Sequence, residues 1–155
     1  MTDIVEVKLR KELRIGKFFK SSETVYLYND NSKEYAVLRF LLDKIFNKRL
    51  KIKEIKAFNN KTSKKVLVPW NLDREINEKL DCFLKNKDFP REKGIRLMKT
   101  VLECQVEYFA KHERLRYNPK REKKNKIIEE MHKKHPQTKY SLLKSFEYVR
   151  GEIKH

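Results

Sequence analysis

Three glycines in 155 residues leave little from which to build a Gly-rich phosphate loop, so an ATP- or NAD-dependent enzyme is not expected. Proline is also scarce, at four residues, and the two shortages together point to long regular elements with few loops. The only cysteines, Cys82 and Cys104, are too few for a secreted disulfide scaffold and are expected as reduced, buried thiols. No apolar run approaches the roughly 20 residues that cross a bilayer, so no membrane span is expected. The N-terminal stretch MTDIVEVKLRKELRIG has no apolar signal core, and a cytoplasmic location is expected.

Acidic residues are short as well. Lys and Arg number 39 against 22 Asp and Glu, a net charge of +17, or about one positive charge per nine residues. Such a surface repels itself and lowers folding stability, so a polyanionic partner is the physical reason to keep it. A thermophilic or AT-rich composition bias raises Lys and Glu together. Here the excess is one-sided, which favours nucleic acid ahead of an anionic membrane or an acidic protein.

What is present argues for a folded chain. Apolar residues make up 39%, and nine Phe, seven Tyr and one Trp exceed what disordered segments carry. The length suits one domain spanning residues 1–155, or a sheet-containing part, 1–69, followed by a helical part, 70–155. Ile4, Val7 (or Val5), Leu9, Leu13 and Ile15 stand in near-alternation and suggest a long strand or bent pair. Glu23 to Tyr28 is a β-favouring run ended by Asn29-Asp30-Asn31. Asn31 then caps a helix, with Glu34 as capping-box partner. Leu50 to Phe58 and Lys65 to Val68 read as the two arms of a hairpin. After Pro69 the pattern is helical. Asn71 caps one helix, Pro90 opens a long one reaching Phe109, Asn118-Pro119 divides it from the next, and Thr138 to Lys154 forms the last. The expected class is α+β, with a small antiparallel sheet or hairpin first, a helical C-terminal part and a helix-turn-helix-like end.

Three constellations of cations stand out. Lys111, Arg114, Arg116, Lys120, Arg121, Lys123, Lys124 and Lys126 gather where one helix is expected to end and another to begin. Cations oppose the positive end of a helix, and a bound phosphate would relieve that cost. The competing account is a solvated corner. In the hairpin, Lys51, Lys53, Lys56, Lys61, Lys64 and Lys65 would clamp a phosphate backbone or only protect an edge strand. In the tail, an expected helix-turn-helix would present Lys139, Tyr140, Lys144, Ser145, Glu147 and Arg150 to a major groove.

A Mg²⁺-dependent nuclease needs converging carboxylates with a lysine nearby. Glu54 with Lys56, then Asp73, Glu75 and Glu78, then Glu103 and Glu107 are the candidates, each set against a plain surface ion pair. His132 and His135 lack a third zinc ligand, and no metal site is assigned. The leading expectation is a basic nucleic-acid-binding protein that holds phosphates and prefers DNA to RNA, with a homodimer as one arrangement. The alternatives are a Mg²⁺-dependent DNA nuclease and an adaptor for an acidic protein or membrane surface. No cofactor is expected unless the nuclease reading holds. Small size and high charge suit a viral or mobile-element protein, or equally a ribosome-associated factor.

Overall fold

Val5, Leu9 and Leu13 lie four residues apart, and that helical stripe decides the first element. In the computed structural model, which describes residues 2–19, 23–57, 65–120 and 123–150, the chain opens with helix α1 (Thr2–Gly16). Val5 and Leu9 are fully buried, whereas Val7 and Ile15 are 62% and 65% exposed, so the expected strand is corrected to a helix. β1 (Thr24–Tyr28), α2 (Lys33–Ile45), β2 (Lys51–Ile55) and β3 (Val66–Leu67) follow, then α3 (Leu72–Leu84), α4 (Glu103–His112), α5 (Lys126–Lys134) and α6 (Thr138–Val149). The described residues thus form an α+β fold of six helices and one three-stranded sheet.

The sheet is parallel, in the order β2-β1-β3. β1 pairs with β2 through Val25↔Ile52 and Leu27↔Glu54, and with β3 through Leu27↔Leu67. The expected antiparallel hairpin is therefore corrected: its two arms lie on opposite sides of β1 and do not touch as partners. The period-two pattern read in the arms marks strands, but it carries no information on direction.

The chain folds as two compact units: unit 1 is Met1–Asn71 with Glu92–Lys120, and unit 2 is Leu72–Arg91 with Arg121–His155. In unit 1, α1 and α2 both pack on α4. Val25 and Leu27 of β1, Leu38, Leu41 and Leu42 of α2, and Phe109 of α4 share its core. Cutting one of these leucines to Ala removes about 2–5 kcal/mol. In unit 2, α6 packs on both α3 and α5. Lys139 of α6 is buried there, paired with Asp73 of α3 and, at 2.6 Å, with Glu129 of α5. Lys139 was expected to face outward from the last helix; its burial corrects that placement.

The long helix expected from Pro90 to Phe109 is also corrected, to an irregular segment followed by the ten-residue α4. Gly94 explains the break. It has φ 73°, and a Cβ there would lie 2.5 Å from the Val66 carbonyl oxygen. With no Cβ, the chain closes on β3: Ile95 N donates to Val66 O at 2.7 Å, and Val68 N to Ile95 O at 2.9 Å. Leu97, Met98, Val101 and Leu102 are buried as expected, but from loop rather than helix. Cys104 is exposed and Cys82 half-buried, against the expected burial of both.

Candidate functional site at the carboxyl ends of the strands

β1 is the central strand, with β2 on one side and β3 on the other. The strand order therefore reverses at β1. In open parallel sheets this topology opens a crevice beyond the carboxyl end of that strand, the usual ligand position. In this chain that position falls at the β1–α2 turn, Tyr28 to Ser32, and at Val68 to Asn71 after β3.

The turn is built from short polar side chains, which bond their own backbone two residues on. Asn29 Oδ1 accepts from Asn31 N at 2.9 Å, and Asp30 Oδ1 from Ser32 N at 3.0 Å. Asn31 sits at φ 57°, a conformation that Asn tolerates. Ser32 is the N-cap of α2, its Oγ accepting from Tyr35 N at 3.1 Å, one residue past the expected Asn31. Asn118 N donates to Asn31 O at 2.8 Å and ties the turn to the segment after α4.

Beneath the turn lies a buried ionic network. Lys33 Nζ meets Glu103 Oε1 at 2.7 Å and donates to the Lys120 carbonyl at 3.3 Å. Glu34 Oε1 lies 3.8 Å from Lys33 Nζ and accepts from Asn71 Nδ2 at 2.7 Å. Lys33, Glu34, Asn71 and Glu103 are all buried. Burial alone would push the Lys33 ammonium down, but the bond to Glu103 and the charge of Glu34 outweigh it and hold its pKa above the ordinary lysine value. Beside them, the Tyr35 hydroxyl donates to Glu54, and Asn29 Nδ2 donates to the other Glu54 oxygen at 3.2 Å. Burial and then the Glu54 carboxylate keep the Tyr35 hydroxyl protonated well beyond the ordinary tyrosine range.

The sequence-derived carboxylates do not gather. Glu103 belongs to the Lys33 network, and Glu54 accepts from Tyr35 and Asn29. Glu107 pairs with Lys111 at 3.0 Å, and Lys56 is exposed just past β2. Asp73, Glu75 and Glu78 belong to unit 2, where Glu75 forms a buried pair with Lys79 at 2.9 Å. Among the described residues, no three His, Cys, Asp or Glu side chains assemble as a metal site. Lys111, Arg114, Arg116 and Lys120 are exposed in unit 1, as are Lys51 and Lys53 on β2. Lys65 pairs with Glu23 at 2.7 Å. Lys123, Lys124, Lys126 and Lys144 are exposed in unit 2, and Arg150 is half-buried at the end of α6. Lys61, Lys64 and Arg121 lie outside the described residues. Among the described residues of the basic stretch no helix starts near Lys120: α4 ends at His112 and α5 begins at Lys126 behind an Asn125 cap. The phosphate seat expected there is corrected accordingly.

Sequence reasoning missed Lys33, Glu34, Asn71 and Tyr35. One signal was available: a β-favouring run, four Asn, Asp and Ser residues, then a helix. That pattern is a β–α turn, and such turns build ligand crevices when the strands are parallel.

Scans against protein-family models and curated proteins returned no match. Among solved structures, the chain is similar in fold to the U34-tRNA thiolase NcsA from Methanococcus maripaludis, described with its 4Fe–4S cluster. The TM-score is 0.72 at 15% identity, over 98% of this chain and 80% of that one. The likeness is one of fold. It lends no support to the expected functions, a DNA-preferring binder, a Mg²⁺-dependent DNA nuclease or a charge adaptor, and as a fold shared with a tRNA thiolase it points away from them. Mg²⁺ falls with the nuclease. No helix among the described residues is long and apolar enough to cross a membrane.

Proposed function

We propose that the protein binds structured RNA, with tRNA as the first substrate class, and that it serves RNA modification by holding the RNA. The observation that carries this reading is the fold likeness to a tRNA thiolase across 98% of the chain. The one-sided charge supports it, since phosphate contacts dominate the affinity of proteins for nucleic acid. Unit 1 offers exposed cations for them: Lys51 and Lys53 on the edge strand β2, and Arg114, Arg116 and Lys120 after α4. Structured RNA is recognised through its shape and 2′-hydroxyls, which a polar rim of Asn side chains suits.

An iron–sulfur cluster of this chain's own does not fit its residues. Such clusters are held by cysteine thiolates, commonly four. The chain has two, Cys82 in α3 of unit 2 and Cys104 in α4 of unit 1. The β1–α2 turn lacks glycine, and Lys33 at the start of α2 is already clamped by Glu103. The reading is therefore of binding and positioning, with the chemistry supplied by another component.

The test is fluorescence anisotropy with an end-labelled tRNA transcript and a DNA duplex of equal phosphate number, across a salt series. The tRNA is expected to bind about tenfold tighter or better, a difference of about 1.4 kcal/mol. Replacing Arg114, Arg116 and Lys120 with Ala is expected to weaken binding and flatten the salt dependence by about 0.7–0.9 for each phosphate no longer neutralised. Equal or tighter binding of the DNA duplex overturns the reading.

A further inference from the structure

Helix α5 has no buried residue, yet its sequence is amphipathic: Ile127, Ile128 and Met131 on one face, Lys126 and Lys133 on the other. A helix with such a stripe normally covers it. Here Ile127 is 69% and Met131 49% exposed, and Leu84, at the end of α3, is 72% exposed. These side chains border a groove of about 640 Å³ that runs between α3, α5 and α6, wholly within unit 2. The α6 wall contributes Thr138, Ser141 and Ser145, three small side chains spaced along one helix face.

The patch thus carries protrusions, Ile127 and Met131, beside a recess lined by small residues. A twofold contact brings a surface against itself, so it needs both on the same patch. Its charges have the same property. The adjoining cavity, which shares Leu80, Leu84 and Asn125, is bordered by Asp81 together with Lys123 and Lys124. A rim of both signs can pair with its own copy, whereas a rim of one sign cannot. RNA is a poor occupant, because the groove is lined mainly by aliphatic side chains and His135 is the one ring among them on which a base could stack.

We infer that this groove is the contact surface for a second copy of the chain, with α5 of each copy seated against α5 and α6 of the other. The net charge of +17 opposes association, so added salt strengthens the dimer instead of dissolving it.

The experiment is sedimentation of the full chain, freed of nucleic acid, from about 1 to about 200 μM, the range expected of an interface at the small end of the specific class. It is run at low salt and at about 0.5 M NaCl. The expected result is a mass rising with concentration from 18.9 kDa toward twice that value, more steeply at high salt. The double variant Ile127→Glu, Met131→Glu is expected to stay at 18.9 kDa with an unchanged circular dichroism spectrum. Leu84→Glu, on a different helix, repeats the test should the double variant lose helix. A wild-type chain that remains monomeric throughout, or a dimer that survives in the folded variants, overturns the inference.

Discussion

Removing the Glu103 carboxylate should unfold unit 1 far more easily than removing any surface acid. Glu103 is buried, and its Oε1 lies 2.7 Å from Lys33 Nζ, which is itself buried. In Glu103→Ala the lysine keeps Glu34, at 3.8 Å, the Lys120 carbonyl, at 3.3 Å, and the more distant charge of Glu107. An uncompensated buried charge of this kind destabilises by about 3–5 kcal/mol. With a urea m-value of about 2 kcal/mol per M, a loss of about 4 kcal/mol moves the midpoint down by about 2 M. Trp70 is the assay: it is the only tryptophan, it belongs to unit 1, it is buried, and the Arg96 guanidinium stacks 3.8 Å over its ring. The double variant Lys33→Met, Glu103→Leu removes both charges and should recover most of the loss, because apolar replacements of a buried pair are often neutral or better. With the single variants Lys33→Met and Glu103→Leu closing the cycle, the coupling energy should be at least about 3 kcal/mol. A single variant that costs under about 1 kcal/mol, as for a surface pair, would refute the charge-burial argument. So would a double variant no more stable than Glu103→Ala.

Two further expectations concern the same fold. Lys33 and Lys139 both have raised pKa values in the folded chain, so the stability they confer is complete below the ordinary lysine value of 10.5 and is lost as pH rises past it. The urea midpoint should therefore fall between about pH 10 and pH 12, by Trp70 fluorescence for unit 1 and by circular dichroism for the whole chain, and the fall in the Trp70 signal should shrink in Lys33→Met; a Trp70 midpoint flat over that range in the wild type counts against the Lys33 pair. Gly94→Val should cost about 2 kcal/mol or more, from positive φ and from a Cβ driven against the Val66 carbonyl, and a midpoint unchanged by Trp70 fluorescence would mean the segment shifts freely.

Elements whose pattern is local were legible in the sequence. The α2 stripe, with Leu38, Leu41 and Leu42 buried, follows from helical spacing, and β1 alternates as a half-buried strand should. The overall α+β class was legible on the same grounds. Strand direction was not, because side-chain alternation is identical in parallel and antiparallel sheets. The first helix was misread because Val7 and Ile15 are apolar but exposed, which made a helical stripe resemble alternation. The irregular segment before α4 was misread because Leu97, Met98, Val101 and Leu102 keep helical spacing while Gly94 diverts the backbone. The crevice was the least legible part. Nothing in the string NDNSKE distinguishes a lysine that will be buried from one in solvent; the burial of Lys33 follows from Glu103, seventy residues on.

The distribution of charge sharpens what the proposed RNA binding requires. Unit 1 holds 24 basic and 12 acidic residues, and unit 2 holds 15 and 10, so the net charges are +12 and +5. Unit 1 also contains the parallel sheet, and it commits Lys33 to the buried network and Lys44, Lys65 and Lys111 to pairs with Glu6, Glu23 and Glu107. Its basic residues still outnumber its acidic ones two to one, and in the absence of a polyanion they repel one another. Unit 2 is nearer balance and carries the exposed aliphatic groove. Per residue the two net charges are similar, +12 over 100 residues and +5 over 55, so both units repel themselves when no polyanion is bound. What separates the units is the exposed aliphatic groove of unit 2, not the density of charge.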